Sequence, residues 1–384
     1  MRRVPIAWLQ LKREKLRLLA AIAGVTFGVV LIFVQLGFQE ALFASAVRYH
    51  QTLGYDLALL SPRTDFIVRP VSFPRNRLHQ VTGFEGVEHV TPVYLGPARW
   101  RNPFAPKETR SIYVVGFDPS DEGFTAFFDQ SLLDEMKKPD RVLFDSASRP
   151  EFGPVAARVR EAGSLDAEVN DRTVRVVGLF ELGTSFGIDG SLLTSDLNFR
   201  RLFPDRTASH VDLGLIQLAP GVDTLAMRDR ILETLPRDVE ALTRTDFVRR
   251  EVAYWNRATP IGYVFSFGVA MGLVVGMIIV YQILFSDVQD SLREYATLKA
   301  MGYTHRFLVG VVLRESALLA VFSYLPALAL SLIIYRQAGE ATHLPIAMSV
   351  ERAVGVFGLT LFMCCASAAL AIRKLRSAQP AEIF

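Results

Sequence analysis

Four stretches of the chain lack charged residues for about the 20 residues that a helix needs to cross the hydrocarbon core of a bilayer. They are 18–39, 260–285, 316–335 and 353–372. Each is framed by charge: Arg17 and Glu40, Arg257 and Asp287, Glu315 and Arg336, Arg352 and Arg373. Between the first and second, residues 40–259 alternate polar and apolar segments as a soluble protein does. The pattern predicts an α-helical membrane protein with four transmembrane helices in a one-plus-three order and a large mixed α/β domain between helices one and two. Within that domain, runs rich in Val, Ile, Leu and Tyr predict strands at 55–60, 111–117, 173–180 and 211–218. Helical patterning predicts helices at 222–235, with apolar Leu225, Ile231 and Leu232, and at 247–255.

Lys and Arg are retained on the cytoplasmic side, counted over short flanks. Arg2, Arg3, Lys12, Arg13, Lys15 and Arg17 precede the first helix. Arg293, Lys299 and Arg306 stand between helices two and three, and Arg373, Lys374 and Arg376 follow the fourth, whereas the loop 336–352 has only Arg336 and Arg352 at its ends. Segments 1–17, 286–315 and 373–384 are therefore predicted to be cytoplasmic, with both termini inside. The loop 336–352 and the domain 40–259 are predicted to be extracytoplasmic. Ala44-Ser45-Ala46 resembles a signal-cleavage site, but the apolar run before it is longer than a signal core, and a retained signal anchor fits better. Residues 5–17, with Trp8, Leu11 and Leu18 on one side among Lys12, Arg13 and Lys15, suit an amphipathic helix in the headgroup region or a plain positive anchor.

Composition agrees with a membrane protein that carries a large water-exposed part: 51% of residues are hydrophobic and 21% charged. A formal charge of +3, from 42 basic and 39 acidic residues with no long basic run, offers nucleic acid little to hold. The two cysteines, Cys364 and Cys365, are adjacent, so no disulfide framework or cysteine zinc site is expected. The six histidines are scattered, and no metal site is predicted. No GxSxG, HExxH, CxxC or Walker phosphate loop occurs, so no catalytic residue is assigned and no enzyme activity is expected of this chain. Asp145 with Glu151, and Asp118 with Asp121, are close carboxylates of the kind that serve as turn and cap residues.

Gly268, Gly272 and Gly276 recur every fourth residue in the second helix, and Gly24 and Gly28 do so in the first. Such a stripe lets another backbone approach closely. Pro326 is predicted to kink the third helix, and Arg314 and Glu315 are predicted to snorkel at the interface. Residues 286–306 read as a short amphipathic helix, with Val288, Leu292, Tyr295 and Ala296 at three-to-four spacing and Gly302 as a left-handed stop. The segment is either a knob for a partner's groove or a solvated interhelix loop.

In order and size the whole chain resembles the permease subunits of MacB/FtsX-type ABC transporters, most closely the DevC branch. The residues that carry the resemblance are Arg293-Glu294-Tyr295-Ala296-Thr297-Leu298-Lys299-Ala300-Met301-Gly302-Tyr303, Thr259-Pro260-Ile261-Gly262, Tyr281-Gln282-Ile283-Leu284 and the tail Pro380-Ala381-Glu382-Ile383-Phe384. Gln379 stands where the family's tail has an acidic residue. The resemblance implies a homodimer in a bacterial inner membrane. It implies a separate cytoplasmic ABC ATPase that binds ATP and Mg, so that no cofactor is held by this chain. Arg293, Glu294, Tyr295, Leu298, Lys299, Ala300, Met301 and Gly302 would couple to that ATPase. A periplasmic adaptor, a membrane fusion protein leading to an outer-membrane channel, would meet the outer domain, and the cargo would be a lipid or glycolipid. The uncharged helices would then act as levers that transmit ATPase motion, not as a polar conduit. A lipoprotein-releasing or cell-division permease of the same superfamily, and a membrane-anchored receptor or scaffold without an ATPase, are the alternative readings.

Overall fold

A computed structural model describes residues 15–121, 129–185, 187–257, 260–290, 297, 301–302, 304–342 and 344–377. It divides into a helical unit and a unit built on residues 42–259.

The second unit is organised by a nine-stranded mixed sheet in the order β11-β1-β10-β3-β4-β8-β5-β7-β6. Its strands are β1 (Leu57–Leu60), β3 (Val87–Arg101), β4 (Thr109–Phe117), β5 (Arg141–Asp145), β6 (Leu165–Val169), β7 (Arg172–Phe180), β8 (Ser191–Ser195), β10 (Leu213–Leu218) and β11 (Glu240–Thr243), and a two-stranded piece pairs β2 (Phe73–Pro74) with β9 (His210–Val211). β3 is the shared member. Its first half pairs with β10 and its second half with β4, changing partner at Val93, which is in register with both Leu213 and Phe117. The end of β3 also pairs with β6, Trp100 opposite Val169, so that β3, β4, β8, β5, β7 and β6 close on themselves. Closure removes the exposed edge that a strand such as β6 would otherwise present. Trp100 is fully buried there, between Phe144 and Phe152.

Local chemistry fits these elements. Asn170 and Asp171, both at positive φ, make the tight turn between β6 and β7. Helices α3 (Asn76–Val81), α4 (Gln130–Met136), α5 (Val155–Ala162), α6 (Asp196–Leu202) and α7 (Thr224–Thr234) flank the sheet. Ser195 caps α6 by accepting from the Asn198 amide at 3.2 Å, and Asp223 caps α7 by accepting from Leu225 at 2.9 Å. The chain enters this unit through α2 (Arg48–Thr52) and leaves it through α8 (Arg244–Arg257). To keep chain order, the helical unit's first helix is written αM1 (Lys15–Ala46), followed by αM2 (Pro260–Asp290), αM3 (His305–Thr342) and αM4 (Val350–Ser377). All four are long and apolar enough to cross a membrane.

The predicted strands are present with shifted ends. β3, β5, β6, β8 and β11 lie outside the predicted strands. The helices are longer than the uncharged runs, because intrahelical hydrogen bonding continues past the first charged residue. αM1 passes Glu40, and αM3 takes in the first part of the loop predicted at 336–352, up to Thr342. αM2 runs on to Asp290 with Val288 2% exposed in the helical core, so residues 286–290 belong to this helix and do not begin a separate knob. Arg314 is exposed, but Glu315 is 2% exposed beside Asp287, so its side chain does not snorkel to solvent as predicted. Pro326 lies inside αM3, and in the turn where it removes an amide donor the Ser323 carbonyl accepts from Thr26 Oγ1 at 3.0 Å. The amphipathic segment 5–17, up to its last residues, and the tail motif 380–384 lie outside the described residues.

Candidate functional site

The small-residue positions of αM1 and αM2 meet. A Cβ added to Gly28 would stand 3.3 Å from the Gly272 carbonyl oxygen and 3.3 Å from the Gly276 Cα. One added to Gly272 would stand 3.0 Å from Ile32 and 3.3 Å from the Gly28 carbonyl oxygen. Backbone therefore faces backbone here, a distance open only to glycine. At the flanking members an added Cβ would meet side chains: 2.6 Å from Ile279 at Gly24, against Gln35 at Gly268, and against Met363 of αM4 at Gly276. Because αM1 precedes the domain in the chain and αM2 follows it, this crossing fastens together the two helices that hold it. A second tie joins αM1 to the later helices: Arg352 is 8% exposed, donates from Nε to Glu40 at 3.2 Å and lies over the Tyr335 ring at 5.4 Å.

Of the eight predicted ATPase-contact residues, Arg293, Glu294, Tyr295, Leu298, Lys299 and Ala300 lie outside the described residues. Met301 and Gly302 are described. The Met301 amide donates to the Thr297 carbonyl at 3.0 Å, closing a helical turn, and Gly302 follows at φ +94° with open space around its Cα. That is a left-handed helix stop, which glycine adopts without a Cβ penalty. Met301 is 63% exposed. The turn thus presents a large apolar side chain to solvent.

A feature that sequence reasoning missed lies where the chain enters and leaves the domain. His50 of α2 and Glu251 of α8 are both fully buried, with Nε2 and Oε2 2.6 Å apart. His50 Nδ1 is 2.9 Å from the Tyr55 hydroxyl, and its ring packs on Phe247 at 4.3 Å between centroids. If Nε2 donates to the carboxylate, Nδ1 accepts from Tyr55, a role suited to a phenol whose pKa burial raises. Tyr49 adds a 2.5 Å hydrogen bond to Ser191. No spacing motif could have flagged the pair, since 201 residues separate its members.

The close carboxylates are structural. Asp145 is buried and accepts from the amides of Ala147, Leu182 and Gly183 at 3.0, 3.1 and 2.8 Å. Burial raises its pKa against the opposing pull of those amides. Asp118 accepts from the Ser120 amide at 2.9 Å, a turn contact. A cleft of about 260 Å³ is lined by Tyr94, Phe199, Arg200, Arg206 and His210. Its floor is the Arg206–Asp212 pair, with both hydrogen bonds at 2.7 Å. Among the described residues no three His, Cys, Asp or Glu side chains group as a metal site. The arrangements that stand out among the described residues are a tight helix crossing, a buried pair where the chain enters and leaves the domain, and an exposed turn.

The sequence profile of the FtsX-like permease C-terminal family matches residues 266–380. No curated protein matches the chain in sequence. Among solved structures, the periplasmic region of MacB from Actinobacillus actinomycetemcomitans is similar at 10% identity and a TM-score of 0.37, covering 52% of this chain and 94% of that one. The extracellular domain of the noncanonic ABC-type transporter YknZ from Gram-positive bacteria is similar at 11% identity and a TM-score of 0.34, covering 50% of this chain and all of that one.

Proposed function

We propose that this chain, an FtsX-type permease by the match over residues 266–380, is the membrane subunit of an ATP-driven export system whose ATPase is a separate cytoplasmic chain. The observation that carries the reading is this match, which takes in most of αM2, αM3, αM4 and the segment between αM2 and αM3. Within that segment the Met301–Gly302 turn offers the ATPase an exposed apolar contact on a fixed stop. The short-flank charges support a cytoplasmic position for this segment and an outer one for residues 42–259. Motion imposed at the turn reaches the domain through αM2 and αM1, held together at the glycine crossing.

Two copies pair in the working complex, and the outer domain meets a periplasmic adaptor leading to an outer-membrane channel. The cargo is a lipid or glycolipid, a reading that rests on the likeness of residues 293–303 to the DevC branch.

The test is co-purification with a nucleotide-binding subunit expressed from the same source. Met301→Asp places a charge on an exposed apolar contact without burying it, so the helical unit should fold while ATPase binding falls at least tenfold, the cost of desolvating one unpaired charge being above about 1.4 kcal/mol. Unchanged binding by this variant, or ATP hydrolysis by the isolated chain, would overturn the proposal.

A further inference from the structure

The loop 61–72 carries a combination of groups that the export reading does not use. Thr64 Oγ1 accepts from the Val71 amide at 3.0 Å and closes its neck, and the loop is pinned from below by Ile67, 1% exposed, whose carbonyl accepts from Tyr113 at 2.5 Å. Above that anchor Phe66 remains half-exposed and stacks on Tyr254 of α8, with ring centroids 4.3 Å apart and planes at 16°. Trp255 meets Phe66 edge-on at 5.3 Å. The same loop and the same helix carry three exposed arginines, Arg63 and Arg69 on the loop and Arg257 at the end of α8. Among the described residues none of the three has a carboxylate partner. Asp65 is the carboxylate of the loop, which leaves the cluster net positive.

The covalent chain fixes how far this cluster can be from lipid. α8 runs to Arg257 and αM2 begins at Pro260. At about 1.5 Å per helical residue and at most about 3.5 Å per extended step, Tyr254 lies within about 15 Å of Pro260. The polar zone of one leaflet is itself about 5–8 Å deep. Aromatic rings with one polar end, beside guanidinium groups, are the side chains that settle at that depth, the rings among the glycerol and upper acyl groups and the cations on phosphate. Tyr263, 73% exposed near the start of αM2, continues the same aromatic pattern in the chain.

We propose that Phe66 and Tyr254, stacked together against Trp255, itself only 8% exposed, form with Arg63, Arg69 and Arg257 a membrane-surface contact that binds the phosphate headgroups of anionic lipid and holds the base of the domain against the bilayer. The inference needs only the tether between α8 and αM2, and holds whichever side of the membrane the domain occupies and whatever it exports. Each guanidinium near an anionic surface contributes about a fivefold preference for the docked state at low salt, so three contribute about a hundredfold.

The experiment uses the full chain in nanodiscs of phosphatidylglycerol or of phosphatidylcholine. The chain has tryptophans at 8, 100 and 255, and Trp100 is fully buried in the domain. In a Trp8→Phe background, lipids brominated near the headgroup end of the acyl chain should quench Trp255 more than lipids brominated near the methyl end, and leave Trp100 bright. Trp255→Phe identifies the signal. Hydrogen exchange of residues 64–71 gives a second readout that needs no substitution at the stack, and protection should be greater in phosphatidylglycerol. Replacing Arg63, Arg69 and Arg257 by Gln, at exposed positions that fold does not depend on, should lower the docked-to-free ratio about a hundredfold and abolish the difference between the two lipids. Equal quenching of Trp255 and Trp100, or quenching and protection indifferent to lipid charge and to the arginines, would overturn it.

Discussion

Replacing Gly28 by Leu puts a branched side chain where αM1 and αM2 touch backbone to backbone. Even the first added carbon would stand 3.3 Å from the Gly272 carbonyl oxygen and from the Gly276 Cα, and backbone atoms of a helix cannot rotate aside as a side chain can. The remaining carbons have no room unless the helices part. Helices in contact through ordinary side chains lie about 8–10 Å apart, so parting this pair also loosens Val29, Ile32 and Val280, which are fully buried in the same core. Overpacking of this kind costs typically 1–3 kcal/mol, and for a helical unit of this size about 2–3 kcal/mol lowers the melting temperature by roughly 5–10 °C. In a Cys365→Ser background Cys364 supplies the assay, because its thiol is fully buried on αM4 and becomes reactive to a fluorogenic maleimide only on unfolding, whereas Cys365 is partly exposed in the fold. Gly358→Leu is the control: that glycine is exposed on αM4, nothing lies within 4 Å of its added carbon, and the change should be neutral or raise stability by up to about 1 kcal/mol through helix propensity. Equal melting temperatures for Gly28→Leu and Gly358→Leu in detergent and in nanodiscs would refute the reasoning, and Gly272→Leu should fall with Gly28→Leu.

Removing one member of the buried His50–Glu251 pair should cost about 3–5 kcal/mol, because the other is left desolvated without its partner. Limited proteolysis of His50→Ala should therefore release the domain early, and His50→Leu with Glu251→Leu should restore much of the resistance. Asp140 is held below the usual carboxylate range by Arg172, which donates from Nε at 2.6 Å. A lowered carboxylate pKa stabilises the fold above the unfolded value, near pH 4, and that stability is lost as pH falls through the folded value. Asp140→Asn should therefore melt below the parent at pH 7 and match it well below pH 4, and Asn suits the positive φ at this position. Gly302→Val forces a β-branched residue onto φ +94° and should uncouple ATP hydrolysis from export in reconstituted vesicles while the domain melts normally, so retained coupling counts against the role assigned to the turn.

The membrane helices were legible because a bilayer demands a long uncharged run, and few sequences meet that demand by accident. Their ends were not, since a helix gains a hydrogen bond per residue whether or not lipid surrounds it. Glu315 shows the difference: beside Arg314 it reads as an interfacial charge, yet the helix carries it inward to Asp287. β3 escaped notice because Pro92, Gly96 and Pro97 punctuate it, residues that ordinarily end strands. β5, β8 and β11 are too short, at five, five and four residues, to show a period. The glycine stripes were visible, but which helix each would meet depended on contacts between residues some 240 positions apart. His50 and Glu251 carry no local signal at all; only the fold makes them neighbours.

The doubly paired β3 bears on how the domain can yield to force. Its 15 residues run unbroken from the open wing, where they pair with β10, into the closed ring, where they pair with β4. Wing and ring therefore share one continuous backbone at Val93, and a load on either is carried to the other along that strand and not across a loop.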